Sequence, residues 1–322
     1  MAVMMHSLRH YQPLKGECTV IGLTNYITEC DWEDVFIAWY IAVDDAYRRL
    51  FPPGKRLRRR GPEPDFSDSE VITIGLICDT YFHGHEELTM SFIRQHYLHL
   101  FPRLLEDSRF NRRRRELALV IEAVRRLLRD QEMDPKDRLR IGDSAPVFVC
   151  TYMRGWQCTT VFGPEYCGIV KSKRAKLFGF RLHLTTTIKQ IVDEWLLAPA
   201  AHHDVKILPF VLKDCEDLQV ILDKAYNDEE QELRLWREQD ILLLPLRRKN
   251  MRAQWEPDVK AILKRVRRRV ETALSVLAQV WNIEWPRARS LSGIIARIAT
   301  RILAHTISFI VAPQLLPAET SN

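Results

Sequence analysis

The chain has 322 residues, of which 46 % are hydrophobic and 28 % are charged, which provides for a sizeable core and excludes wholesale disorder. The net charge of +6 is unevenly spread, because residues 241–311 hold fourteen Lys and Arg against four Asp and Glu. That block therefore carries +10 and the rest of the chain carries −4. A basic block of this kind points to a polyanionic partner, nucleic acid before membrane.

The seven cysteines are scattered and odd in number, and none forms a C-x-x-C pair. A zinc or disulfide framework is therefore not expected, and a reducing compartment fits. The N-terminus has no apolar run of signal-peptide length. The most apolar segment, residues 291–312, is interrupted by Arg297, Arg301 and His305, so we predict an amphipathic core helix and no membrane span. These features predict a soluble, cytoplasmic protein.

The N-terminal third of the chain has the periodicity of helices. An apolar-rich segment at residues 31–50 predicts one helix, and Ser67 with Glu70 has the spacing of a capping box that starts a second. Asn111 is the predicted N-cap of a third helix. We therefore predict an all-helical N-terminal domain over residues 1–132.

Beyond this domain the hydrophobic period changes from about 3.6 residues towards about 2, which is typical of strands. Five strands are predicted, at residues 138–149, 178–188, 194–200, 218–226 and 241–247. Helices are predicted between and after them, at residues 203–215, 227–239, 259–280 and 291–312. Strands that alternate with helices make a mixed α/β domain, which we place at residues 133–315, followed by a tail at residues 316–322.

In this domain, two acids directly follow apolar residues of predicted strands. Asp143 closes the stretch LRIGD, and Asp223 closes QVILD. Asp is depleted in strands, but it suits an active site, because open α/β sheets place ligands at the carboxyl ends of their strands. The alternative for each residue is a turn Asp that hydrogen-bonds its own backbone.

Glu271 is the third acid, and it lies among arginines in the predicted helix. In one interpretation it only pairs with Arg267 or Arg268 on the surface, a contact worth about 0.2–0.5 kcal/mol. In the other, the helix aims Glu271 at Asp143 and Asp223. Three carboxylates about 5 Å apart would repel by about 3 kcal/mol per pair at an effective dielectric near 20. A hard cation such as Mg²⁺ would turn that repulsion into a binding site, and two such ions can drive phosphodiester transfer.

The three acids have 79 and then 47 residues between them, in the segments IGDSAPV, LDKAYND and RRRVETALSVL. The segments FSDSEVITIGLI and FNRRRRELA precede them, and YCGIVKSKRAKLFGFRLHL, LLPLRRKNM and ARSLSGIIARIATRILAHT lie between or after them. In this order, over about residues 60–312, the set resembles the bacterial DDE transposases of the insertion sequence 982 family.

The resemblance implies an RNase H-like catalytic domain, a mixed sheet flanked by helices, preceded by a helical domain that binds DNA ends. It implies that Asp143, Asp223 and Glu271 are the catalytic residues and the ligands of two Mg²⁺ ions, for which Mn²⁺ can substitute. The implied activity is cleavage at the inverted-repeat ends of an insertion sequence and strand transfer to a target site. The implied partners are double-stranded DNA, from the ends and the target, and a second copy of the chain as a dimer on DNA in the bacterial nucleoid.

Basic residues are the predicted DNA contacts. Arg267, four residues before Glu271, matches an Arg that the wider DDE group often carries near its Glu, whereas Lys264 stands where that group often has Tyr. Each basic run is by itself usual for a solvated face, but together with the basic block the runs fit contacts along a DNA backbone. The predicted contacts from these runs are Arg247, Arg248, Lys249, Lys171 and Lys173.

Two alternatives to a transposase stay open at this point. A hydrolytic nuclease on the same fold would need the same three acids, and joining of a 3′-hydroxyl end to target DNA would separate the two activities. A catalytically decayed protein that still binds its DNA ends is the second alternative, and the intact set of three acids argues against it.

Overall fold

The structure is a computed structural model that describes residues 32–52, 64–170 and 174–315. The chain divides into two compact units, Met1–Leu128 with Leu303–Asn322 and Arg129–Ile302. The described residues of the first unit are mainly helical, and those of the second form an α/β unit. The functional domains expected from the sequence, 1–132 and 133–315, stay a prediction. The expected tail, 316–322, lies outside the described residues.

In the described part of the chain, five helices precede the first strand. They are α1 (Trp32–Leu50), α2 (Asp68–Tyr81), α3 (Glu86–His96), α4 (Asp107–Glu116) and α5 (Ala118–Glu132). The predicted capping box at the start of α2 is confirmed. The Ser67 hydroxyl accepts from the Glu70 N–H at 3.1 Å, and the Glu70 carboxylate accepts from the Ser67 N–H at 2.6 Å. Helix α3 was not predicted from the sequence.

The predicted N-cap at Asn111 is wrong. Asn111 lies inside α4, whose N-cap is Glu106, and its side-chain amide donates to Glu86 Oε2 at 2.6 Å. The buried Arg114 in the same helix pairs with Glu86 at 3.1 Å. Because these tertiary contacts hold the side chain of Asn111, it is not used as a cap, and the helix begins earlier, at Asp107.

In its described residues the α/β unit contains six strands. They are β1 (Leu139–Cys150), β2 (Cys167–Val170), β3 (Ala175–Thr186), β4 (Val192–Pro199), β5 (Leu218–Leu222) and β6 (Ile241–Pro245). The helices that follow β4 in chain order are α6 (Asp204–Val211), α7 (Glu229–Gln239), α8 (Pro257–Gln279) and α9 (Leu291–Leu315). All five predicted strands and all four predicted helices of this region are confirmed, with shifted ends, and only the short β2 was missed.

The strands form one mixed sheet. Its order is β4–β3–β1–β5–β6, with β2 paired to the first part of β3. β3 is antiparallel to both β1 and β4, whereas β5 is parallel to both β1 and β6. The mixed α/β class expected from the sequence is therefore confirmed.

Helices cover both faces of the sheet. α8 packs on β1, β3 and β5, and α6 packs on β3 and β4. Adjacent residues of a strand point to opposite faces, so Asp143 points to the α8 face while Gly142, which lies near Leu208 of α6, points to the other. The apolar side chains that α8 buries recur at helical spacing, at Leu263, Val270, Ala273 and Leu277.

Helix α9 is long and apolar enough over Leu291–Val311 to cross a membrane, with a mean hydropathy of 1.6. However, 78 % of its apolar window is buried inside the structure. Arg301 in this window is buried as well, and it donates to the carbonyl oxygens of Asn282 at 2.6 Å and Trp285 at 3.3 Å. Such burial is typical of the core helix that the sequence predicted.

Candidate active site

The register of two parallel strands brings Asp143 and Asp223 side by side. β1 pairs with β5 through Ile141 and Ile221, each two residues before its acid. Adjacent strands lie about 4.8 Å apart, so continuing this register places the two carboxylates on neighbouring backbones. Asp223 directly follows β5, as expected, but Asp143 lies inside β1, because that strand continues to Cys150 along its partner β3.

Helix α8 adds two charged side chains one turn apart beside its buried stripe, Arg267 and Glu271. The guanidinium of Arg267 contacts Asp143 Oδ2 at 3.0 Å through Nη2 and lies 3.7 Å from Asp223 Oδ1 through Nε. Its Nη1 also forms an ion pair with Glu271 Oε1. The structure thus brings all three predicted acids, from two strands and a helix, to one guanidinium.

The charges of this cluster do not balance. Three carboxylates share one guanidinium, which leaves negative charge in excess when all three are ionised. The exposed fraction of the side chain rises from 18 % at Asp143 to 38 % at Asp223 and 49 % at Glu271, so the cluster opens to solvent on the Glu271 side. Among the described residues, the buried Nε of Arg267 has no hydrogen-bond partner. The excess of negative charge, together with the exposure of Glu271, allows the cluster to bind a cationic ligand.

Burial raises the pKa of Asp143 to about 6. The charge of Arg267 and the N–H of Ser144, which donates to Asp143 Oδ1 at 2.8 Å, oppose this rise in pKa, whereas the charge of Asp223 adds to it. Asp143 is consequently ionised for the most part at neutral pH and takes up a proton under mildly acidic conditions.

A second polar group of residues lies on the α6 face of the sheet, opposite to the face of Asp143, and its members are not among the predicted site residues. His183 Nδ1 is 3.4 Å from the hydroxyl of the buried Tyr226, and burial lowers the pKa of His183 to about 3. The carboxylate of Asp204, the first residue of α6, lies 4.0 Å from His183 Nε2, and its charge also raises the pKa of Asp143. No sequence spacing indicated this link, because the fold alone joins β1, β3 and α6 here.

The chemistry of the three acids fits a divalent cation. Carboxylate oxygens are the ligands that Mg²⁺ and Mn²⁺ take in proteins. In the arrangement described, however, Arg267 lies between the acids, and in the described part of the chain no three carboxylate, imidazole or thiol groups stand together as metal ligands. The residues fit the cation once Arg267 releases them.

The predicted DNA contacts differ in their availability. Arg247 is held in place, because it forms two 2.7 Å hydrogen bonds to Glu232 and lies 5.2 Å above the ring of Trp255. Arg248 and Lys249 are exposed, although Arg248 Nε donates to a backbone oxygen, that of Lys224, at 3.1 Å. Lys171 and Lys173 lie outside the described residues. Contact of any of these side chains with DNA stays a prediction.

Comparison with known proteins gives one family. Residues 134–291, just under half of the chain, match the family model described as Transposase DDE domain. The matched region contains the three acids and Arg267. No curated protein and no solved structure matches the chain significantly. The family match supports a DDE transposase, an enzyme that in general cuts DNA and transfers its strands.

Proposed function

We propose that the protein is a transposase of the insertion sequence 982 family, which cleaves DNA at the inverted-repeat ends of its element and joins those ends to a target site. The observation that carries this proposal is the convergence of Asp143, Asp223 and Glu271 on one point beside the carboxyl end of β5. The mixed sheet with helices on both faces supports the RNase H-like fold that the sequence resemblance implies.

In this mechanism Asp143, Asp223 and Glu271 hold divalent cations, Mg²⁺ or Mn²⁺. When bound, such a pair of ions activates the attacking water or 3′-hydroxyl and stabilises the leaving oxygen. The protein contributes position: two paired strands fix Asp143 and Asp223, and the buried stripe of α8 fixes the backbone of Glu271. Glu271 is the most exposed acid, so it lies where a DNA strand can approach.

Arg267 has to change partners for this function. Its guanidinium occupies the space between the acids, so a cation and Arg267 compete for the same carboxylates. A DNA phosphate is the natural alternative partner, because guanidinium binds phosphate oxygens in a bidentate manner. We therefore expect DNA to draw Arg267 away from the acids, so that substrate binding favours cation binding.

The proposal includes a dimer on double-stranded DNA in the bacterial cytoplasm, with the helical N-terminal domain binding the DNA ends. A hydrolytic nuclease with the same acids would cleave the ends without joining them. The test therefore uses an end-bearing duplex and a target plasmid, and scores cleavage and joining separately.

The deciding variant is Glu271→Gln. If Glu271 completes a cation site, binding of end DNA is kept while strand transfer falls by several orders of magnitude. If Glu271 only pairs with Arg267 on the surface, the variant loses about 0–1 kcal/mol of stability and keeps its activity. Glu238→Gln is the matched control, because Glu238 is exposed in α7 with Arg234 four residues before it. Normal joining by Glu271→Gln would contradict the proposal.

A further inference from the structure

The segment between β1 and β2 exposes large apolar side chains. Met153 is 80 % exposed, Trp156 74 % and Phe162 78 %. Together with Tyr152 and the buried Phe178 they line an open depression of about 410 Å³. This volume falls in the range of roughly 300–1,000 Å³ that is usual for ligand sites. Neither the proposed chemistry nor the predicted DNA contacts give these side chains a role.

The depression is built into the fold. Two short 3₁₀ turns, Tyr152–Gln157 and Pro164–Tyr166, form its rim. A Cβ atom on Gly155 would lie 2.5 Å from the ring of Phe178, and Gly163 has a φ of +130°, which favours glycine. Both glycines allow close packing beneath the exposed rings, so the backbone that carries these rings is fixed.

Positive charge accompanies the aromatic rings. Lys176 Nζ lies 5.0 Å above the ring of Tyr152, and Arg154 and Arg174 are exposed on the same stretch of chain. Glu165, beside Gly163, is the one acid between Tyr152 and Lys176 in the sequence. Aromatic faces next to cations are what proteins use to bind unpaired nucleotides, because bases stack on the rings and phosphates meet the cations. A second copy of the chain fits less well, since a two-fold contact would bring these cations close to their own copies.

β1 joins this depression to the candidate active site. The seven steps along the chain from Asp143 to Cys150 span at most about 23 Å at about 3.3 Å per residue. B-form DNA rises about 3.4 Å per nucleotide, so this length corresponds to about six or seven nucleotides.

We propose that the depression around Trp156 binds an unpaired base of the DNA substrate, about six or seven nucleotides of B-form length from the reacting phosphate. This inference rests on the proposed function, which makes DNA the substrate. Trp156 and Phe162 supply the stacking faces, and Arg154 and Lys176 contact the adjoining phosphates. The site selects unpaired nucleotides, because the faces of paired bases are stacked within the duplex.

The test is fluorescence anisotropy of the full chain with a labelled single-stranded oligo-dT and with a duplex of equal length. Trp156→Ala should weaken single-strand binding by about 5- to 100-fold, the usual effect of losing one stacked base, and leave duplex binding little changed. Trp156→Phe should keep most of the affinity. Trp236→Ala is the control, because Trp236 is 55 % exposed in α7, outside the depression.

Equal single-strand affinity of Trp156→Ala and the unsubstituted chain would overturn the inference. So would a loss of self-association in sedimentation with oligonucleotide binding unchanged, since the surface would then join copies of the chain. The proposed function is judged separately, by strand transfer in Glu271→Gln. If Glu271→Gln shows normal strand transfer while single-strand binding depends on Trp156, the proposed transposase mechanism is contradicted and the base-binding site is still supported.

Discussion

Two clusters of ion pairs in the α/β unit include residues of the same strand, β1, and differ in how deeply their acids are buried and how many cations each acid contacts. Near the start of β1, Arg129 and Arg140 both contact Asp193, and Arg129 also contacts Glu194. The side chains of these four residues are at most 13 % exposed, and two more exposed acids pair with the same arginines. Around Arg267 three acids share one cation, and exposure reaches 49 %.

The comparison separates a cluster that serves the fold from one that serves binding. In the first, Arg129 contacts Asp193 at 3.0 Å and Glu194 at 2.6 Å, and Arg140 holds Asp193 from the other side. Buried charges of that kind are compensated, so removing one partner is costly. In the second cluster three acids share one guanidinium, and Asp223 and Glu271 are partly exposed, so an additional cation could reach them and would reduce their mutual repulsion.

The largest expected difference between the clusters is in stability. Asp193→Asn should lower the free energy of unfolding by about 3–5 kcal/mol, because it removes the one buried acid that contacts both arginines. Asp143→Asn should leave the metal-free protein as stable as before or more stable, because burial disfavours the ionised form of this side chain. Urea unfolding at neutral pH with a chelator measures both. Equal destabilisation by the two variants would erase the distinction.

The second cluster should also show a pH dependence of stability that arises from Asp143. The pKa of Asp143 is about 6 in the folded protein, above its ordinary value of 3.8, so the folded state binds the proton more tightly. Its contribution to stability is therefore complete below about pH 4 and is lost as the pH rises through 6. Relative to Asp143→Asn, the unsubstituted protein should lose up to about 3 kcal/mol between pH 4 and 7.5. Parallel pH profiles of the two proteins in urea unfolding would contradict this.

A third expectation concerns competition at Arg267. A cation about 4 Å from a carboxylate interacts with that carboxylate by about 4 kcal/mol at an effective dielectric near 20. Rearrangement of the side chains and solvent reduces this interaction energy. Arg267→Gln should therefore bind Mn²⁺ at least about 10-fold more tightly than the unsubstituted chain without DNA, as measured by calorimetric titration. Arg268→Gln, an exposed neighbour, is the control for loss of charge alone. If both variants behave alike, Arg267 does not compete.

The smallest expected effect is on the salt dependence of DNA binding. Arg248→Ala with Lys249→Ala should flatten the slope of log K against log salt by about 1.8 if each residue neutralises one phosphate. Arg247→Ala should change that slope little, because Glu232 and Trp255 hold its side chain. Binding to a duplex at several salt concentrations measures both slopes. A larger change for Arg247→Ala would show that its contacts break on DNA.

Local patterns predicted the elements well, and tertiary contacts account for what they missed. The period of two residues marked β1 and β5, and the Ser67–Glu70 box marked the start of α2. The three acids were singled out because each follows or lies in a segment whose type the sequence shows, and because their order resembles that of a known family; their role in catalysis stays a prediction. The predicted N-cap at Asn111 was wrong because the side-chain amide of Asn111 donates to a residue of another helix.

The spacing of residues in the sequence did not indicate which residues far apart in the chain are in contact. Arg267 lies 124 positions from Asp143, so its contacts with Asp143 and Asp223 follow only from the packing of α8 on the sheet, whereas its pair with Glu271 four residues later was predicted from spacing. The raised pKa of Asp143 has the same origin, since burial depends on which helix covers the strand. The exposed aromatic rings beside Trp156 were overlooked, because a loop has no hydrophobic periodicity that would show which of its side chains are exposed.

β1 is paired on both edges, and this limits which in-frame insertions and deletions the coding sequence tolerates. Because neighbouring residues of a strand point to opposite faces, losing or gaining one codon between Leu139 and Asp143 would turn Asp143 from the α8 face to the α6 face. A codon change in the connection between β3 and β4, residues 187–191, would leave that orientation intact. In-frame length changes in the first stretch should thus remove Asp143 from the site, whereas those in the second should not act through Asp143.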